Sequence, residues 1–263
     1  MFIDEAAYRA PSRDELLAAL EAKQDLADLL FASEGMLDEL DLANCRFTRC
    51  AFRLSAVRNA DFSESIFKDC KFAPTRFAGC SFVEARLENC ALFDAEEKKG
   101  STFAFCEMRD AELARCNFSA GSFERSNLYN LRATECSFRG VRFKGSDFSR
   151  AVSRTVVLTK ARFDSCNFGF ADLSGLSLRG CELPNCKFSE TALFDVDLTD
   201  ALLSGCTFDR AEWDRATLRG ADMRGAAISG LNLALLADYA GLTIDEGQQE
   251  ALLTEIGLKV RPH

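Results

Sequence analysis

A large apolar residue recurs at every fifth position of this chain, and few backbones can follow such a period. From Leu42 the centres run Phe47, Phe52, Val57, Phe62, Phe67, Phe72, Phe77, Phe82, Leu87 and Leu92. After a one-residue shift they resume at Phe103 and continue in fives to Leu233. Seventeen of the twenty-three Phe are centres, and all twelve Cys stand two places before a centre. A helix repeats its apolar face every 3.6 residues, and a strict five cannot imitate that over so many copies, so helix is rejected for 42–233. Each unit reads as three near-extended residues and a two-residue corner. Alternation along the short strand sends the first and third side chains inward and the second outward. A small side chain, often a reduced Cys, then sits beside each bulky centre. Trp213 occupies a centre and is expected in the core. The corners are free to be polar, with glycine where a bend needs positive φ.

Such units resemble the pentapeptide repeat family, whose pattern is a small residue, a polar residue, Leu or Phe, then two variable positions. Ala171-Asp172-Leu173-Ser174-Gly175 and Ala221-Asp222-Met223-Arg224-Gly225 are close matches. The resemblance implies an all-β solenoid, a right-handed quadrilateral β-helix with four units per coil. About ten coils then give a rod on the order of 48 Å long at the strand spacing. Cys50, Cys70 and Cys90 stack on one face in coils of twenty residues, as do Cys166, Cys186 and Cys206. Arg139, Lys160, Arg179 and Arg219 share a side on the same count.

An exposed cross-section at either end of a solenoid needs a cover. Pro11-Ser12-Arg13-Asp14-Glu15 places a capping Ser three before a Glu, and the leucines that follow predict a helix from about 13 to 32. At the other end Thr243 and Glu246 predict a second capping box, and Gly257 a helix stop. The chain divides into an N-terminal helical cap (1–40), the repeat β-helix (41–233) and a C-terminal helical cap and tail (234–263).

Gln248-Gln249-Glu250-Ala251-Leu252-Leu253-Thr254-Glu255-Ile256-Gly257-Leu258-Lys259-Val260 resembles the tail of quinolone-resistance (Qnr-type) pentapeptide repeat proteins. That likeness implies a homodimer joined end to end, with Leu252, Leu253, Ile256, Leu258 and Val260 at the interface. The frame slips within Phe93–Ser101, where a projecting loop is expected, and Asp94, Glu96, Glu97, Lys98 and Lys99 are the candidate partner-binding residues. A longer second loop, found in the Qnr-type proteins, is not visible, because the five-residue frame survives through Ala151–Thr155.

Chemistry of other kinds finds no support. The sole His is His263, which leaves a catalytic Ser or Cys without a base. There is no Cys-x-x-Cys pair and no phosphate-binding loop, so neither metal nor cofactor is expected. Net charge is −9, carried mostly by residues 1–44 with 11 acidic and 3 basic residues; 45–233 hold 25 and 27, which argues against imitation of DNA by bulk charge along the rod. No apolar leader or membrane span is evident, and a cytoplasmic, non-enzymatic protein is expected. The Qnr resemblance implies a rod that occupies the DNA-binding saddle of DNA gyrase or topoisomerase IV without touching nucleic acid. The alternative is a scaffold that meets a protein partner through its acidic N-terminal segment and one solenoid face.

Overall fold

The computed structural model describes residues 5–153 and 156–259. The five-residue period winds the chain into a right-handed four-sided β-helix with every face paired in parallel. The first face is a seven-stranded sheet whose rungs carry Leu26, Phe47, Phe67, Leu87, Leu113, Ala133 and Phe163. Bridges continue it through Arg162, Glu182, Leu202, Asp222 and Thr243. The second, third and fourth faces repeat this behind the centres Phe52, Val57 and Phe62. Most partners are twenty residues apart, which makes four units per coil. Phe77 and Phe103 pair across twenty-six residues and Leu131 and Ala161 across thirty, so six and ten residues leave the rod at these two places.

Inward alternation packs the shaft with rings. On the first face Phe47 and Phe67 stack with centroids 4.7 Å apart, and on the second Phe52 and Phe72 stack at 4.4 Å. Rings of neighbouring faces meet edge-on, as Phe47 and Phe52 do, so each aromatic column is locked by the next. Trp213 is buried as expected. The corners carry the left-handed backbone that the glycines suggested. At Gly175, φ is 71°, and the turn closes with the Leu176 amide donating to the Leu173 carbonyl at 3.2 Å. Asn, Asp, Glu and Arg fill the same position elsewhere.

Eleven of the twelve cysteines are buried, and Cys45 is half-buried. The two insertions bring the expected stacks into one column: Cys50, Cys70, Cys90, Cys116, Cys136, Cys166, Cys186 and Cys206 follow one another on successive rungs of a single corner. Their thiols donate to carbonyls one coil back, Cys70 to Phe47 at 3.4 Å and Cys206 to Leu183 at 2.9 Å. Small side chains are needed there because the corner brings two backbones close beside the bulky centres.

The helix predicted over 13–32 is shorter. Helix α1 is Arg13–Glu21, and its Ser12–Glu15 capping box is fully formed. The chain then turns at Lys23, where φ is 52°, and Leu26, Leu29, Leu30 and Phe31 enter the first coil. At the C-terminal end the expected Thr243 cap is instead a rung, paired with Asp222. Gln248 does the capping. It is buried, its Oε1 accepts from the Asp245 amide at 2.8 Å, and its Nε2 donates to the Met223 and Ala226 carbonyls at 2.8 and 2.7 Å. The Ala226 carbonyl would otherwise face the open end unpaired, while the Met223 carbonyl also accepts from the Ala226 amide at 3.0 Å. Helix α2, Gln249–Glu255, follows.

Candidate partner-binding surfaces

The surface between the ends is a ladder of ion pairs. Arg49 meets Asp28 at 2.6 Å, Arg58 meets Asp38 at 3.2 Å, and Arg210 meets Glu190 at 2.6 Å. Arg215 and Asp195 are joined in the same way. Each pair links a rung to its neighbour, and Glu112 is shared by Arg86 and Arg132. The guanidinium of Arg49 holds the Asp28 carboxyl below its ordinary range, and Arg215 does so for Asp195. Many acids and bases are therefore spent on each other, and the walls, with 25 acidic and 27 basic residues over 45–233, present little net charge to a partner. Arg139 does not share a side with Lys160, Arg179 and Arg219. The ten-residue insertion carries the chain half a coil round, and the Arg139 guanidinium lies instead over the Phe170 ring at 4.5 Å.

Two projections break this regularity. The first leaves the corner between the second and third faces as an antiparallel hairpin, with Phe93 paired to Gly100 and Asp94 to Lys99. Asp94 builds its turn, accepting from the Glu96 and Glu97 amides at 2.8 and 2.9 Å. The Glu97 amide, then the Glu96 amide, hold its carboxyl below the usual range. Glu96, Glu97, Lys98 and Lys99 are exposed, and Lys99 reaches Glu97 at 3.6 Å.

The second projection corrects the expectation that no longer loop exists. Ser149–Ala151 and Val157–Thr159 pair antiparallel as the arms of a hairpin, Ser149 with Thr159 and Ala151 with Val157, on the corner between the fourth and first faces. Its ten extra residues are two repeat lengths, so the sequence frame passes through undisturbed while the chain leaves the rod. Val152, Val156, Val157 and Leu158 stand out into solvent. That concentration of exposed β-branched and leucyl side chains was the available signal, masked by the frame. The two hairpins lie on diagonally opposite corners, two and a half coils apart.

At the C-terminal end Leu252 is buried against the last coil and Leu253 is half-buried. Ile256 and Leu258 are exposed, together with Leu235 and Tyr239. Val260 lies outside the described residues. Among the described residues no cluster of three or more His, Cys, Asp or Glu is placed to hold a metal ion, and no helix is long and apolar enough to cross a membrane. Burial pushes the Cys181 and Cys206 thiols up to about 12 and half-buried Cys45 up to about 11, away from nucleophilic use.

Four-sided parallel coils filled by stacked Phe and small residues define the class of pentapeptide-repeat β-helices. Residues 111–150, 136–169, 161–200 and 197–233 match the family model of pentapeptide repeats, in eight copies. Among solved structures, the plasmid-mediated fluoroquinolone resistance protein QnrB1 shares the fold. A trypsin-treated form superposes with a TM-score of 0.67 at 22% identity, covering 91% of this chain and 100% of that one. Full-length QnrB1 gives 0.65 at 20% identity, covering 87% and 100%. No curated protein matches the chain in sequence.

Proposed function

We propose that this rod is a non-enzymatic binding protein that occupies the DNA-binding saddle of a type II topoisomerase, DNA gyrase or topoisomerase IV, and modulates or protects the enzyme. The observation that carries the reading is the pair of hairpins standing out from a QnrB1-like rod whose walls are otherwise self-neutralised. A surface of paired ions offers a partner few unsatisfied charges, so recognition falls to what projects. The first hairpin presents Glu96, Glu97, Lys98 and Lys99 around a turn fixed by Asp94. The second presents apolar Val152, Val156, Val157 and Leu158, which suit a hydrophobic cleft in a protein. Ile256 and Leu258, with Leu253 beside them and Leu252 as internal support, would join two rods end to end and place two sets of hairpins along one axis.

Supercoiling and quinolone-induced cleavage assays with purified gyrase test this. Wild-type protein is expected to alter supercoiling or reduce cleavage complexes, and excision of 150–159 to weaken that effect at least tenfold. No effect of the wild-type protein on either readout, together with no binding, would remove the reading.

A further inference from the structure

Phe105 is placed where neither packing nor backbone preference wants it. It stands at the corner between the third and fourth faces, 57% exposed, with φ at 55°. The left-handed region crowds Cβ against the backbone, and asparagine or glycine relieves this at a turn. Most of this corner column follows: Asn59, Gly79, Gly145, Gly175 and Asp195 fill the equivalent position, with Arg125 and Arg215 the long side chains there besides Phe105. Among the described residues with left-handed φ, Phe105 and Phe170 are the only aromatic ones. Phe170 is covered by Arg139 at 4.5 Å, whereas Arg125 lies 5.8 Å from the Phe105 centroid. The rung below Phe105 carries Gly79, so no side chain closes over the ring from that side, while Arg125 on the next rung lies over it loosely.

Beside the ring is a depression of about 560 Å³ walled by Arg76, Phe105, Glu124, Arg125, Lys144 and Gly145. Glu124 is spent on Arg76 at 3.1 Å, a pair that spans two rungs across the small Thr102 and Ala104 of the strand between. Arg125 and Lys144 make no ion pair among the described residues, which leaves the depression positive on a chain whose net charge is −9. A ring open on its Gly79 side, beside two cations that have no carboxylate partner, combines apolar contact with attraction for carboxylates.

We propose that this depression docks an acidic segment of a partner protein, one that sets an aromatic or aliphatic side chain on Phe105 and carboxylates against Arg125 and Lys144. The proposal rests on the reading of the chain as a protein-binding rod, and adds a third recognition point on a corner that neither hairpin uses. Nucleic acid fits less well. It would need a long run of free cations along the rod, and among the described residues beside the depression these are Arg125, Arg142 and Lys144, with Arg76 already held by Glu124.

The test uses the full chain and a fluorescein-labelled peptide Asp-Glu-Trp-Asp-Glu, followed by anisotropy, with no topoisomerase present, so that its outcome is independent of gyrase activity. Phe105→Asn, and Arg125→Glu combined with Lys144→Glu, are expected to weaken binding at least tenfold; Phe170→Asn is expected to leave it unchanged. Phe105→Asn should also melt at the same or a higher temperature than wild type, because it removes an exposed ring from a left-handed corner. Equal binding by wild type and Phe105→Asn overturns the proposal. So does undiminished binding of a Lys-Arg-Trp-Lys-Arg peptide, or Phe105-dependent binding of labelled single-stranded DNA. A lower melting temperature for Phe105→Asn would make the ring a support of the fold and overturn it as well.

Discussion

The two residue types that fill the shaft do different work. Phenylalanine supplies contact. Phe67 stacks on Phe47 at 4.7 Å and meets Phe52, Phe62 and Phe72, and Phe67→Ala is expected to cost about 3–5 kcal/mol, read from the denaturant midpoint. Cysteine supplies smallness with a weak donor. A Cys thiol occupies the corner without crowding the ring beside it, and its S–H finds a carbonyl one coil back, as Cys186 does with Phe163 at 3.3 Å. Desolvation raises Cys90, Cys181 and Cys206, while hydrogen bonds from neighbouring thiols lower Cys70, Cys80 and Cys136, so it is the closed shaft that shields the buried eleven. Native protein should therefore react with a thiol reagent near neutral pH at Cys45 alone, and slowly, while the other eleven appear on denaturation. Rapid reaction of several thiols in the folded state would show that the column is not sealed.

At the scale of elements, the regular coil was legible in the sequence and the departures from it were legible only in part. The inward columns could be read because one alternation repeats unit after unit, and the first hairpin because six extra residues, five plus one, shift the phase. The second hairpin was hidden because ten residues preserve it, and the same insertion moved Arg139 away from Arg179 and Arg219. Leu26, Leu29 and Leu30 imitated a helical spacing although Leu26 and Phe31 already stand five apart as rung centres. Phe105 fell on a position where the repeat tolerates anything, so only its exposure and φ reveal it. The register also makes an excision predictable. Removing 150–159 leaves Phe148-Ser149-Lys160-Ala161-Arg162-Phe163, an ordinary unit, and removing 95–100 leaves Leu92-Phe93-Asp94-Ser101-Thr102-Phe103. Both variants should stay folded and melt within a few degrees of wild type in a thermal scan. Loss of cooperative melting would mean that the hairpins hold the coils together. The ion-pair ladder carries its own pH dependence. The carboxyls of Asp28, Asp195 and Asp222 are held down mainly by Arg49, Arg215 and Arg224. Their stabilisation is complete above the unfolded carboxyl pKa of about 4 and is lost as pH falls through the depressed folded values. The urea midpoint should decline below about pH 4, modestly, since these pairs are solvent-exposed and screened.

The whole molecule is a rod with unequal ends, and its ends decide what it can assemble into. At the N-terminal end α1 buries Leu16, and the segment around it is strongly acidic, so two such ends repel. The C-terminal end is closed for hydrogen bonds by Gln248 but left open for apolar contact, with Leu235, Tyr239, Ile256 and Leu258 exposed. Closing the shaft and burying apolar surface are separate tasks, and only the first is completed within one chain. A two-fold pairing of these ends would bury the remainder and stop there, because the partner's C-terminal end is consumed and no strand edge remains to add a third rod. Sedimentation equilibrium at micromolar concentration should therefore give a dimer and nothing larger. Ile256→Asp combined with Leu258→Asp should return it to monomer with the melting temperature nearly unchanged, since neither side chain packs in the shaft. Leu252→Ala, by contrast, should lower the melting temperature, because that side chain is buried against the last coil. A wild-type protein that remains monomeric at hundreds of micromolar, or a double variant that still dimerises, would place the association elsewhere and leave the exposed C-terminal residues as a surface for a different protein.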